Sequence, residues 1–211
     1  MAQYYYAVAA LPGISLDSEP PWSLEGFLEF AEAQLTSSDF ELLSRARLEP
    51  EDVRQELDPL RSGEEQQAVS TESDAQSVET VAGSGAAAHW ATFEMALRNA
   101  LVRARTDDPN RQNAYTRKSD SPEDSQIHEI VREAHAAANP YEAERILDKA
   151  RYSFLEELEV GHFFDIDRLV VYYLKLQLVT RRAQQTSENG RRVFEQRYDS
   201  VLEQMGAIQN L

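Results

Sequence analysis

Two histidines come nearest to the spacing of a metal site in this sequence. His128 and His135 are seven positions apart, so on a helix they would share one face, about two turns from each other. Histidines that bind zinc from one helix are usually separated by roughly three or four positions. We therefore predict surface histidines and no bound metal or cofactor. The alternative is that the protein is a helical hydrolase in which these two histidines bind a metal ion.

Other signatures of catalysis are missing from the sequence. It contains no cysteine, which excludes disulfides, thiolate metal sites and cysteine nucleophiles. It also contains no glycine-rich phosphate loop and no serine nucleophile elbow. We therefore predict that the protein is not an enzyme.

Residues suited to contact a partner protein occur in both halves of the chain. A tyrosine run near the start is typical either of a binding hot spot or of core packing. Two aspartates before an apolar stretch either bind a partner or cap a helix, and two arginine pairs after it either bind carboxylates or are solvated. The predicted partner-binding residues are Tyr4, Tyr5, Tyr6, Asp165, Asp167, Arg181, Arg182, Arg191 and Arg192.

The net charge restricts the class of partner. The sequence has 37 acidic and 21 basic side chains, a formal net charge of −16. Residues 1–85 contain 17 of the acidic side chains and only 4 of the basic ones. Such a surface disfavours nucleic acid and anionic lipid, and it favours a basic protein surface.

No stretch of the sequence is suited to cross a membrane. The longest apolar region, 163–179, is interrupted by Asp165, Asp167, Arg168 and Lys175. A membrane-spanning helix needs about 20 largely uncharged residues. The first residues also lack the basic and long apolar parts of a signal peptide. We therefore predict a cytoplasmic protein without direct membrane insertion.

The elements that must position these residues are helices, so the predicted class is all-α. Apolar residues recur at helical spacing after capping signals, and the prolines lie at starts or breaks. A helix is favoured over a strand for the first apolar stretch, 4–11. In the first part of the chain, the other predicted helices begin at Ser23, at 36–38 and after Pro50. In the second part, they run from 89 to 105, from 121 to about 138, from 139 to Gly161, from Asp165 or Asp167 to about Gln185, and from 193 to Gly206. A break is predicted at Asn189 and Gly190.

Residues 139–211 are predicted to form three long helices in a row. The middle one is apolar almost all the way round, so its neighbours must bury it. A seam of apolar residues at steps of three and four marks the helix before it, and the short loops make neighbouring helices antiparallel. The seam residues are Ala143, Leu147, Ala150, Phe154 and Leu158.

The domain organisation follows from a shift in composition. Residues 61–88 are rich in Ser, Glu, Gln, Gly and Ala and poor in large apolar side chains, which predicts a flexible acidic connector. Residues 1–60 form an N-terminal helical segment and residues 89–211 a helical bundle. The two parts are expected to share one core.

Two segments carry a resemblance to a known family. ERILDKARYSFL at 144–155 and FDIDRLVVYYLK at 164–175, closed by Arg181 and Arg182, resemble the C-type central-stalk subunit of V/A-type rotary ATPases, known as the d-type subunit in eukaryotes. YYYAVAALP at 4–12 and SLEGFL at 23–28 are similar to an uncharacterised bacterial family associated with V-type ATPase gene clusters.

This resemblance implies a non-catalytic structural subunit that couples the central rotor shaft to the membrane rotor ring. Its partners would be those ATPase subunits, and it would be peripheral to the membrane through the complex. The alternative is a free-standing acidic helical adaptor that binds a soluble partner through residues 61–88.

Overall fold

The fold is all-α, as predicted. It is described by a computed structural model for residues 2–48, 85–106, 108, 112, 116, 125–185, 188, 190–192, 194–195 and 197–198. No β-strand occurs among these residues. The helices are α1 (Ala2–Ala9), α2 (Leu24–Gln34), α3 (Ser37–Arg45), α4 (Gly85–Arg105), α5 (Ser125–His135), α6 (Pro140–Glu159) and α7 (Ile166–Gln184).

Helix α7 lies at the centre of the fold. It contacts α1, α2, α3, α4 and α6, and every residue from Leu169 to Leu176 is buried. Phe27 of α2, itself fully buried, stacks on Tyr173 of α7 with ring centroids 5.4 Å apart. The chain therefore buries its own apolar middle helix, which confirms the prediction that neighbours shield it.

Helices α6 and α7, which a short turn joins, run antiparallel. Glu159, the last residue of α6, accepts a hydrogen bond from Lys175 of α7 at 2.9 Å. Asp148, farther back in α6, pairs instead with Arg181 near the end of α7. Residues nearer the start of α6 thus contact residues nearer the end of α7, so the two helices are antiparallel, as the short loop predicts.

The predicted N-caps are confirmed at four helices. Each cap has extended backbone, and its side-chain oxygen accepts a hydrogen bond from the backbone N–H three residues later, at 2.9 to 3.3 Å. These caps are Ser23 of α2, Thr36 of α3, Asn139 of α6 and Asp165 of α7. Pro140 occupies the first turn of α6, where its missing N–H has no helical partner to lose.

The N-terminal segment is fastened to the bundle by hydrogen bonds between side chains of the bundle and the backbone of residues 14, 46 and 48. The Gln177 amide accepts from the Leu48 N–H and donates to the Ala46 carbonyl, both at 3.0 Å. The indole of Trp90 donates to the Leu48 carbonyl at 3.3 Å. The hydroxyl of Tyr152 donates to the Ile14 carbonyl at 2.8 Å. Residues 2–48 therefore pack on the same core as α4, α6 and α7.

Three predicted helix boundaries are wrong. Helix α4 begins at Gly85 because the Asp167 carboxylate accepts from the Ala86 N–H at 3.0 Å, so residues 85–88 belong to the bundle. Helix α5 ends at His135, before the predicted 138. Helix α7 ends near Gln185 as predicted, but Gly190, which is predicted to lie in the break that follows, is helical.

Several predictions lie outside the described residues. They are the helix after Pro50, the connector from 61 to 84, the helix start at 121–124, and most of the last predicted helix, 193–206.

Candidate protein-interaction surface

Large apolar side chains are exposed together where α1 meets the turn between α6 and α7. Their exposed fractions range from 47 % to 80 %. Scattered single apolar residues are normal on protein surfaces, whereas a contiguous group marks a binding surface. We call this group the aromatic face; its residues are Tyr5, Tyr6, Val160, Phe163 and Phe164.

Three members of the aromatic face, Tyr5, Tyr6 and Phe164, contact one another through Tyr5. The ring of Tyr5 lies 4.9 Å from that of Phe164 and meets the ring of Tyr6 edge-on at 5.7 Å. Beside them runs an open groove of about 410 Å³ with a mainly apolar surface, lined by Val8, Val160, Gly161, Phe163 and Phe164 together with Glu159, His162 and Arg168. The face thus offers rigid rings and a shallow recess, which suits an apolar side chain of another protein.

The turn between α6 and α7 explains why the two phenylalanines are exposed. Gly161 has φ +91°, a left-handed conformation that favours glycine, and the chain reverses there directly after α6. Asp165 then begins α7 as its N-cap. Phe163 and Phe164 fall between these two signals, so neither helix carries them into its buried face.

The two predicted aspartates hold this turn in place. Asp165 accepts a hydrogen bond from the Arg168 N–H at 3.0 Å, and its other oxygen lies 2.7 Å from Nδ1 of His162. Asp167 caps the start of α4 at Ala86 and lies 3.8 Å from the same histidine nitrogen. The capping interpretation of Asp165 is confirmed, and a direct partner contact of either aspartate stays a prediction.

The tyrosine run divides between the core and the surface. Tyr4 donates a hydrogen bond from its hydroxyl to Asp39 at 2.9 Å and thereby joins α1 to α3. Burial, this hydrogen bond and the nearby negative charge raise the pKa of Tyr4 to about 12. Tyr5 and Tyr6 point outward and belong to the aromatic face. The core and partner interpretations thus each fit part of the run.

The predicted arginines lie far from the aromatic face. Arg181 is roughly 24 Å from Asp165 along α7, at the rise per residue of an α-helix. It pairs with Asp148 and Glu144, and Arg182 pairs with Asp17 at 2.6 Å. The structure therefore separates Arg181 and Arg182 from the tyrosines and aspartates with which they were predicted.

The second arginine pair follows α7. Arg191 and Arg192 are both exposed on helical backbone, and Arg191 lies 4.0 Å from Glu195. Both remain available to a partner's carboxylates, and such a contact stays a prediction.

A buried ionic cluster was missed by sequence reasoning. Glu94 of α4, Arg151 and Asp148 of α6 are nearly inaccessible, and Arg181 of α7 joins them. Burial alone would lower the pKa of Arg151, but the charge of Glu94 and its hydrogen bond raise it above the ordinary value, helped by Glu144 and Asp148. The cluster cross-links three helices, α4, α6 and α7.

The histidines of the metal hypothesis, His128 and His135, are both exposed on α5. Within the described ranges, no group of three or more His, Asp or Glu side chains is placed to hold a metal ion. The helices described here also include none that is long and apolar enough to span a bilayer.

Comparison with known proteins gives one family match. A model of a family described as a protein of unknown function, DUF2764, matches residues 115–204, somewhat less than half of the chain. The matched residues include α5, α6 and α7 and therefore the turn that carries Phe163 and Phe164. No curated protein and no solved structure matches the chain.

Proposed function

We propose that this protein is a non-catalytic structural subunit of a V/A-type ATPase, and that the aromatic face contacts another subunit of that complex. In this role it couples the central rotor shaft to the membrane rotor ring and lies on the cytoplasmic side, peripheral to the membrane. The main observation in support of the proposal is that the aromatic face is exposed on a turn that neighbouring side chains hold in place.

Rigidity supports a coupling role. A part that transmits torque must resist deformation, and close-packed interiors transmit strain. Helix α7 is packed against five other helices, and the cluster of Glu94, Asp148, Arg151 and Arg181 ties it to α4 and α6. The turn that carries Phe163 is held where it enters α7, by the Asp165 cap and by the contact of Asp167 with α4.

The resemblance supplies the identity of the partners. Its two segments, 144–155 and 164–175, fall on α6 and α7. These helices flank the turn of the aromatic face. The proposal therefore places the partner contact and the resemblance in the same part of the chain.

Co-purification tests this proposal. The full chain carries an affinity tag and is expressed in the native cells, and the complexes released from membranes by mild detergent are identified by native mass spectrometry. We expect rotor-shaft or rotor-ring subunits at a fixed stoichiometry. Recovery of the folded protein without any rotor, shaft or catalytic-head subunit would rule the proposal out.

A free-standing acidic adaptor is the second candidate, favoured by the net charge of −16. It would bind its partner through the segment predicted as a connector. A deletion of residues 61–84, which spares the start of α4 at Gly85, separates the two candidates. An ATPase subunit that binds through the aromatic face keeps its complex after this deletion, whereas the adaptor loses its partner.

A further inference from the structure

We infer that the aromatic face binds a basic amphipathic segment of a partner protein, with an apolar side chain in the groove and Lys or Arg beside the glutamates at the end of α6. This inference rests on the proposed function for the identity of the partner. Its chemistry is argued from the charges and contacts of the surface itself.

The first observation is the charge pattern at the end of α6. Three of its last four residues are glutamates, Glu156, Glu157 and Glu159, and its last turn contains no basic residue. The carboxyl end of a helix carries partial negative charge, so acidic side chains are unfavourable there and cations are favourable. The sequence thus places negative charge at the end of α6, where it destabilises the isolated helix most.

The second observation is how these glutamates are compensated. Glu159 forms ion pairs with Lys175 at 2.9 Å and with Arg168. Glu156 and Glu157 are exposed, and neither forms an ion pair with another described residue. A cationic group from a partner would therefore meet two carboxylates and the helix terminus together.

The third observation is the closeness of this charge to the apolar groove. Val160, which caps α6 and lines the groove, follows the glutamates within one helical turn. One turn advances about 5.4 Å, well within the length of a lysine or arginine side chain. A single segment can thus bury an apolar anchor and neutralise the glutamates at once, as an amphipathic helix in a groove does.

Charge decides between this occupant and two others. A second copy of the chain would bring the same glutamates face to face, in a molecule of net charge −16. An anionic lipid surface is repelled for the same reason. A basic protein segment is attracted, and the attraction also speeds its association.

Photo-crosslinking in native cells tests the inference. Benzoylphenylalanine replaces Phe163 in the full chain, and in a control it replaces Tyr141, an exposed aromatic residue at the opposite end of α6. We expect position 163, and not position 141, to crosslink to a segment with large apolar residues and a net positive charge. Crosslinks to a second copy, to lipid or to an acidic segment would overturn the inference, as would no crosslink above the control.

Affinity measurements on the crosslinked segment, made as a synthetic peptide, test its two parts. Phe163→Ser should weaken binding about tenfold or more, as expected for a hot-spot residue, while Tyr141→Ser leaves it unchanged. The double variant E156Q and E157Q should weaken binding and flatten its salt dependence. The control Glu133→Gln, on the exposed side of α5, should do neither. Affinity that is insensitive to both sets of changes would contradict the inference.

The two proposals can fail separately. A crosslink to a basic segment of a protein outside the ATPase would support this inference and contradict the proposed function. A crosslink to an acidic or uncharged segment of a rotor or shaft protein would support the proposed function and contradict this inference.

Discussion

Arg151 of α6 donates two hydrogen bonds to the carboxylate of Glu94 on α4, from Nε at 3.0 Å and from Nη2 at 3.1 Å, and both side chains are buried. This two-pronged geometry suits the planar guanidinium group. It fixes the orientation of α4 against α6 in a part of the core where an unpaired charge is strongly disfavoured.

Removal of this arginine should destabilise the protein strongly. Arg151→Met leaves the buried Glu94 without its main partner, and the free energy of unfolding should fall by about 3 to 5 kcal/mol. Arg132→Met, which breaks an exposed pair with Glu129 at 3.1 Å, should lower it by at most about 1 kcal/mol. Urea unfolding followed by circular dichroism measures both values. Equal effects of the two substitutions would show that the buried pair is not special.

The apolar seam of α6 makes a second prediction. Leu147 is buried, and Phe154 stacks on Phe93 with ring centroids 4.0 Å apart. Leu147→Ala or Phe154→Ala should each lower the free energy of unfolding by about 2 to 5 kcal/mol, through lost burial and the cavity left behind. A loss below ~0.5 kcal/mol, typical of surface positions, would mean that this face of α6 does not pack inside.

Tyr172 connects stability to alkaline pH. Its hydroxyl is buried without a partner among the described residues, and burial raises its pKa to about 12 from the ordinary 10.0. The folded state therefore holds this proton more tightly than the unfolded state, so its contribution is complete below pH 10 and is lost as pH rises toward 12.

Tyr172→Phe should thus flatten the loss of stability between pH 10 and 12. It should also raise stability at neutral pH by up to about 1 kcal/mol, because an unpaired buried hydroxyl is removed. Tyr152→Phe gives the comparison at neutral pH: it deletes the hydrogen bond to Ile14 and should destabilise by about 1 kcal/mol. Urea unfolding at several pH values measures both, and an unchanged pH profile for Tyr172→Phe would refute the assignment.

Gly161 is the position where the turn depends on glycine. Its φ of +91° is strained for any other residue, so Gly161→Ala should destabilise by about 1 to 2 kcal/mol although nothing lies within 4 Å of the added methyl group. Gly13→Ala also meets open space but has no positive φ, and should be nearly neutral or stabilising. Thermal unfolding of the two variants, side by side, distinguishes backbone strain from crowding.

Local signals predicted most of the fold. The caps at Ser23, Thr36, Asn139 and Asp165 depend on neighbouring residues, so the sequence alone was enough to place these helix starts. The burial of α7 followed from its composition, since a helix apolar on all sides has no other stable environment.

Contacts between distant residues were not predictable in this way. Periodicity treats charged residues as exposed, yet Asp148 and Arg151 lie inside because Glu94, 57 positions from Arg151, completes their pairing. Likewise, the start of α4 at Gly85 depends on Asp167, which is 81 positions from the Ala86 amide that it binds.

The aromatic face was predicted only in part. The sequence predicts Tyr5 and Tyr6 as binding residues but places Phe163 and Phe164 in the long apolar region. Their position between Gly161 and the cap Asp165 was the signal that could have separated them from the buried helix. The packing of α1 beside this turn, which unites the two groups, has no counterpart in the local sequence.

The most direct test is whether the aromatic face holds the protein in an ATPase complex. Tagged wild-type protein, the double variant Tyr6→Ser with Phe163→Ser, and Tyr141→Ser are purified from native membranes, and the recovered subunits are quantified by mass spectrometry. We expect rotor-shaft or rotor-ring subunits with the wild type and Tyr141→Ser, and their loss with the folded double variant. Equal recovery with all three proteins, or no ATPase subunit with any, would contradict the proposed role of the aromatic face.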